Sequence, residues 1–322
     1  MSIAVPIRPD ELLPAYVDRL SALNGNCTRK DLIQHIVRVR STRHTGGMTD
    51  LLRLLADMNA MTLKEMLGRH TCLALYRCPR PSGSGRQPGR ADQAEKSLKS
   101  CPLHIHGGQL RLCVDCMKAE TEDVGFCHWH RAHQVPGRLR CPVHGMPLLS
   151  IKAGPTTTGC PADDLRAARP ILLADAERCA RNPYITRALG ILDLILERGL
   201  VLDRDRCMRA VQGAIVASGA DPTQQRWFAG FSAAIDREFS LDWLRFAFPR
   251  ARFAEGQLRM FAEGWIADRV RTVSHMSLAV TASMLFPTAE SAVQTFVREA
   301  GGQCEAEVRI WSAAGGCVSP LF

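Results

Sequence analysis

The 322-residue chain contains no run of eighteen apolar residues, which excludes an ordinary membrane-spanning helix. Its opening, "MSIAVPIRPDELLPAY", lacks the charged-then-apolar order of a secretory signal, so the expected location is the cytoplasm, with no membrane partner. Internal repeats are missing, and so is any low-complexity tract beyond one linker-like stretch, which argues against a solenoid or array. Without an export signal, the thirteen cysteines do not read as a disulfide framework. In a reducing compartment the clustered ones read as metal ligands. The scattered ones, Cys27, Cys72, Cys179, Cys207, Cys304 and Cys317, read as small buried residues.

Charge is present, and it is uneven. The chain carries a net +9, yet residues 1–158 hold 22 Lys and Arg against 13 Asp and Glu, while the remainder holds 19 of each. The whole basic excess therefore lies in the first half, as expected of a nucleic-acid-facing region. Arg29, Lys30, Arg38, Arg40 and Arg43 are the candidate phosphate-facing group.

Hydrophobic spacing predicts a mainly α protein. An N-terminal helix-turn-helix-like bundle spans 1–78, a linker or mobile loop 79–100, a zinc-knuckle core 101–160 and a helical domain 161–322. Leu12, Leu13, Tyr16, Val17, Leu20 and Leu23 recur at helical spacing before the stop "NGN". Thr28, Thr49 and Thr62 are candidate N-caps, with Asn59 and Ala60 forming the turn between the last two helices. The linker, "PRPSGSGRQPGRADQAEKSLKS", is rich in Gly, Pro, Ser and charge. Beyond residue 163, seven segments carry an apolar stripe at the helical period, among them "DLRAARPILLADAERCA" and "SHMSLAVTASMLF". Trp227, Trp243 and Trp265 on these segments read as core. The tail "CEAEVRIW" alternates like a short strand.

The densest chemistry lies between Arg111 and Leu149. Cys113 and Cys116 have the spacing that turns two thiolates towards one ion, and Cys141 and His144 repeat it after 24 intervening residues. These four ligands suit tetrahedral Zn2+. Closing such a loop costs about 3 kcal/mol plus a constant. Structural zinc in small fingers contributes on the order of 10–16 kcal/mol, so binding prevails. Four protein ligands leave no place for an activated water, which makes the ion structural and the protein no enzyme. Cys101 and His104, with Cys127 or Cys160, are candidates for a second metal site, and Cys78 is a further possible partner. His128, His130 and His133 have no glutamate placed as in H-E-x-x-H. They read as bracing the knuckle or facing solvent, and Asp115 and Glu120 as solvated loop residues.

The stretch "CVDCMKAETEDVGFCHWHRAHQVPGRLRCPVHGMPLL" resembles the zinc-finger core of the TniQ/TnsD family of transposon target-site selectors. Cys113, Cys116, Trp129, His130, Arg131, His133, Gln134, Pro136, Gly137, Cys141, Pro142, His144 and Gly145 carry the match. "PIRPDELLPAYVDRLSALNGN" and "LGRHTCLALYRCPR" are similar to the family's upstream segments. "VSHMSLAVTASMLFPTAESAVQTF" is similar to a helix near the end of TnsD-type chains. The chain departs from many relatives in lacking a further CxxC pair, since residues 145–182 offer only Cys160 and Cys179.

The resemblance implies a non-enzymatic transposition target-selection adaptor, which recognises a CRISPR Cascade–guide RNA complex or attachment-site DNA. It then recruits an AAA+ transposition regulator (TnsC-like), reaches the transposase only indirectly, and has a second copy of itself as a candidate partner in a homodimer. The short C-terminal part tilts the expectation towards the Cascade. The alternative is a stand-alone zinc-containing helix-turn-helix transcription regulator, although no segment reads as a dimerisation helix.

Overall fold

A computed structural model describes residues 5–25, 31–32, 48–72, 75, 78–79, 109–152, 160–171, 173–200, 202–221, 224–248, 272–298, 311–312 and 316–317. The chain is mainly helical with a small sheet. It divides into two compact units. The first comprises Met1–Leu73, Ser84–Gln134 and Leu139–Leu173, the second Ala74–Gly83, Val135–Arg138 and Ala174–Phe322.

In the first unit, α1 (Leu13–Leu23) starts at a proline in its first turn and ends at Asn24 and Gly25. Leu12, Leu13, Tyr16, Val17 and Leu20 are buried as the spacing requires, but Leu23 is exposed. α2 (Met48–Met58) and α3 (Leu63–His70) are joined by a short turn in which Ala60 is left-handed. Thr62 caps α3 in a reciprocal capping box with Glu65. α2 begins at Met48, so Thr49 lies within the helix instead of capping it. Leu51, Leu52, Leu55, Ala56 and Met66 close over α1 to form one core. Asn59 fastens the turn: its amide nitrogen donates to Leu55 O and Tyr16 Oη, and its oxygen accepts from the Ile7 N–H. The expected cap Thr28 lies outside the described residues.

A three-stranded antiparallel sheet completes this unit: β1 (Gln109–Leu112), β2 (Leu149–Lys152) and β3 (Arg169–Pro170), in that order. α4 (Val114–Val124) follows β1, and α5 (Pro161–Asp164) precedes β3. The segment "DLRAARPILLADAERCA" is thus not one helix. A 3-10 turn at Leu165–Ala167 and β3 precede α6 (Leu173–Arg181). Pro170 ends any helix continuing through it, because its ring removes an N–H and collides with the preceding turn.

The second unit holds α6, α7 (Pro183–Glu197), α8 (Arg204–Ala217), α9 (Gln225–Glu238), α10 (Leu241–Ala247), α11 (His275–Leu285) and α12 (Ala289–Val297). Asn182, Asp203, Ser240, Ser274 and Thr288 cap α7, α8, α10, α11 and α12 with their side chains. α11 departs from the expected one-sided stripe. Every residue from His275 to Leu285 is buried, with α7, α8 and α12 packed against it. Trp243 is buried and donates from Nε1 to Gly137 O at 2.9 Å. Gly137 has φ +76°, and a Cβ there would lie 2.8 Å from the Trp243 ring. Trp227 is half-buried and stacks on Phe231, whereas Trp265 lies outside the described residues. Of the expected tail strand, Trp311–Ser312 pairs with Gly316–Cys317, and residues 304–310 lie outside the described set. Among the described residues no helix is long and apolar enough to cross a membrane.

Candidate metal centre

Sheet register brings the two knuckles together. Leu112 pairs with Leu149. Cys113 therefore leaves the end of β1 beside the hairpin that delivers Cys141 and His144 just before β2. Cys113 is the N-cap of α4, and Cys116 lies in the helix's first turn. The second knuckle is held by an Arg140–Pro147 bridge and by a 2.8 Å bond from Cys141 N to Met146 O. Gly145 turns it at φ +65°, a conformation that only glycine adopts freely.

The ligand atoms fit one small ion. Cys116 and Cys141 Sγ are 3.6 Å apart. His144 Nδ1 lies 3.3 Å from Cys116 Sγ and 3.7 Å from Cys113 and Cys141 Sγ. Tetrahedral zinc with bonds of about 2.3 Å to sulfur and 2.0 Å to nitrogen needs edges of about 3.8 and 3.5 Å. Cys113, Cys116, Cys141 and His144 are thus close enough to hold a metal ion. Leu148 and Ile171 pack against the sulfurs. Burial pushes the Cys113 and Cys116 thiols up, reinforced by the neighbouring thiol of Cys141, so a cation is what would keep these buried sulfurs ionised.

Other candidates fall in different places. Cys127 and Cys160 approach to 3.6 Å, while Cys101 and His104 lie outside the described residues. A hydrogen bond from Cys127 lowers the Cys160 thiol to about 6, and that bond with burial raises Cys127. The side chain of Cys78 and all five basic candidates, Arg29, Lys30, Arg38, Arg40 and Arg43, are also outside the described set. Cys72, Cys179 and Cys207 are buried as expected, and burial raises Cys72 to about 12. Cys27 and Cys304, and the side chain of Cys317, lie outside it.

The histidine run is more organised than its spacing suggests. His133 is buried with Nε2 3.4 Å from Cys141 Sγ and 3.7 Å from Cys116 Sγ, bracing the sulfurs. His128 and His130 instead meet Glu120. Its Oε1 lies 2.6 Å from His130 Nε2 and its Oε2 3.2 Å from His128 Nδ1. Glu120 is therefore no solvated loop residue: it sits on α4 with its side chain largely covered. Burial alone would raise its carboxyl, but the His128 and His130 rings hold it down to about 2. Burial likewise opposes charge on His130, yet Asp10 and Glu120 carry it up to about 9.

Two upstream motifs meet this segment. Glu11 and His130 form an antiparallel bridge, with Leu12 N bonded to Trp129 O and Arg131 N to Asp10 O. Glu11 is fully buried and receives Arg19 through Nε at 2.9 Å and Nη2 at 2.7 Å. Gln134 behaves as a missing strand: Oε1 accepts from Arg111 N at 2.9 Å, and Nε2 donates to Arg111 O at 2.8 Å and to His130 O. Neither role is visible from composition or spacing.

Comparison with known families agrees with this arrangement. The family model TniQ matches residues 2–148, which takes in α1 to α4 and all four ligands of the sulfur centre. No curated protein matches the chain.

Proposed function

We propose, from the premise that this chain belongs to the TniQ family through residues 2–148, that it is an adaptor selecting the insertion site of a transposon. Membership places it among transposition-associated target-selection proteins in general. The finer reading is that it engages a Cascade–guide RNA complex or attachment-site DNA and recruits an AAA+ transposition regulator, without catalysing a reaction itself. The observation that carries this reading is the match itself, covering both the helical N-terminus and the centre formed by Cys113, Cys116, Cys141 and His144. The ion at that centre is read as structural Zn2+: four protein ligands complete its tetrahedron.

The basic first half supplies the nucleic-acid contact. Arg29, Lys30, Arg38, Arg40 and Arg43 remain its proposed phosphate ligands. Each phosphate neutralised on duplex DNA steepens the log–log salt dependence by about 0.9, so removing Arg38 and Arg40 should flatten it by about 1.8. The test is co-purification of the tagged full-length chain with a Cascade, with and without guide RNA, and separately with the AAA+ regulator. Recovery of the regulator, together with Cascade or a specific DNA, is expected. Recovery of none of them overturns the proposal. Sequence-specific promoter binding by the chain alone, with no recruitment of the regulator, would instead identify a transcription regulator.

A further inference from the structure

We propose that Glu120, His128 and His130 form a second metal-binding site, of nitrogen and oxygen donors, separate from the sulfur centre. Their ligand atoms all lie within 4.8 Å of one another. The Glu120 oxygens stand 2.6 Å from His130 Nε2 and 3.2 Å from His128 Nδ1. The remaining ring nitrogen of His128, Nε2, is buried without a hydrogen-bond partner. His128 is only 6% exposed. A buried polar atom left unsatisfied is costly. An ion held among the carboxylate and the two rings would give the His128 ring that missing partner. Bonds of about 2.0–2.2 Å place tetrahedral donors about 3.3–3.6 Å apart, so Glu120 and His130 would part by about 1 Å or less.

The surroundings are those of a built site. Glu120 is oriented by the His128 backbone N–H, which donates to Oε2 at 3.0 Å. Asp10 Oδ2 stands 3.6 Å from the far nitrogen of His130, the place of the carboxylate that steers a ligating imidazole. Asp10 is itself fixed by the Ala132 N–H and by Arg131 Nε, and holds a left-handed φ of +59°. Two imidazoles and one carboxylate leave a coordination position open. That donor set takes Zn2+ or a neighbouring first-row divalent ion and gives a more exchangeable site than three thiolates and an imidazole.

Cadmium-113 NMR of the full-length chain loaded with Cd2+ tests the assignment, because shielding separates thiolate-rich from nitrogen–oxygen coordination. One thiolate-type resonance from the sulfur centre and a second of nitrogen–oxygen type are expected. Glu120→Gln and His128→Gln should each abolish the nitrogen–oxygen signal and leave the thiolate-type one. Partners behind the ligands alone are worth about 10–100-fold in affinity. Loss of a ligand should therefore weaken Zn2+ binding at this site by at least about 100-fold, and Asp10→Asn by about 10-fold. Absence of a nitrogen–oxygen resonance in the unaltered chain overturns the proposal, as does its persistence in both ligand variants. The unaltered chain decides even if a variant fails to fold, and neither result depends on transposition.

Discussion

Gly137→Ala tests the packing of the second unit quantitatively. Two terms act against alanine at this position. The left-handed backbone, φ +76°, costs an L-residue roughly 1–2 kcal/mol. The new methyl would also sit 2.8 Å from Trp243 Cζ2 and 3.1 Å from Met276 Cε. Trp243 is buried and tethered to the Gly137 carbonyl, so it cannot swing away without losing that bond, and overpacking of this kind costs about 1–3 kcal/mol. Reduced freedom of the unfolded chain returns about 0.4–1 kcal/mol. The net expectation is a loss of about 2–4 kcal/mol. Gly219→Ala supplies the control: its φ is +79°, but nothing lies within 4 Å of a Cβ there, so it bears the backbone term alone. Urea unfolding followed by far-ultraviolet circular dichroism should place Gly137→Ala about 1–3 kcal/mol below Gly219→Ala. Adding Trp243→Leu should make Gly137→Ala no worse than its control. Equal costs for the two alanines, or a cost unchanged by Trp243→Leu, would refute the reasoning.

Three further outcomes follow from described contacts. Cys116→Ser should abolish metal binding at the sulfur centre, read by elemental analysis, and cost the first unit much of its tertiary near-ultraviolet signal, since structural zinc is worth on the order of 10 kcal/mol in small domains. Glu11→Gln leaves the Arg19 guanidinium without its buried carboxylate and should lower stability by about 3–5 kcal/mol, measured by denaturant titration. His275 is buried, and burial, only partly opposed by a backbone contact to Leu75, lowers it from the usual 6.5 to about 4. Between those pH values the unfolded chain binds a proton that the folded chain does not. This contribution is intact above pH 6.5 and falls as pH drops towards 4, by at most roughly 3 kcal/mol. A His275→Leu chain should lack that slope when unfolding is measured across the window.

The sulfur centre was legible because two-residue knuckles state their geometry within a single turn of chain. The bundle helices around it were legible because apolar spacing and capping residues act locally. Glu120 was not legible. It stands eight and ten residues before its imidazoles, and they meet only because Gly125 ends α4 in a left-handed conformation (φ +77°) and the chain doubles back. The useful signal was present in two pieces: Glu120 follows Cys116 by four residues on one helix, and His128 and His130 are two apart. The strands escaped notice because they run for only four, four and two residues, too short for alternation to register. α11 misled differently. Its serines, threonine and alanines look like a polar face, yet small side chains let neighbouring helices cover every side.

The two outer margins of the three-stranded sheet carry one more consequence. Exposed strand margins recruit foreign strands and seed aggregation. On β1, the amide of Gln134 already occupies both backbone groups of Arg111, so an incoming peptide would have to displace a side chain that mimics it. On the opposite margin β3 offers two residues, one of them a proline with no N–H to give. Head-to-head stacking of this sheet into a ribbon is thereby blocked from both directions, by one glutamine and one imino acid.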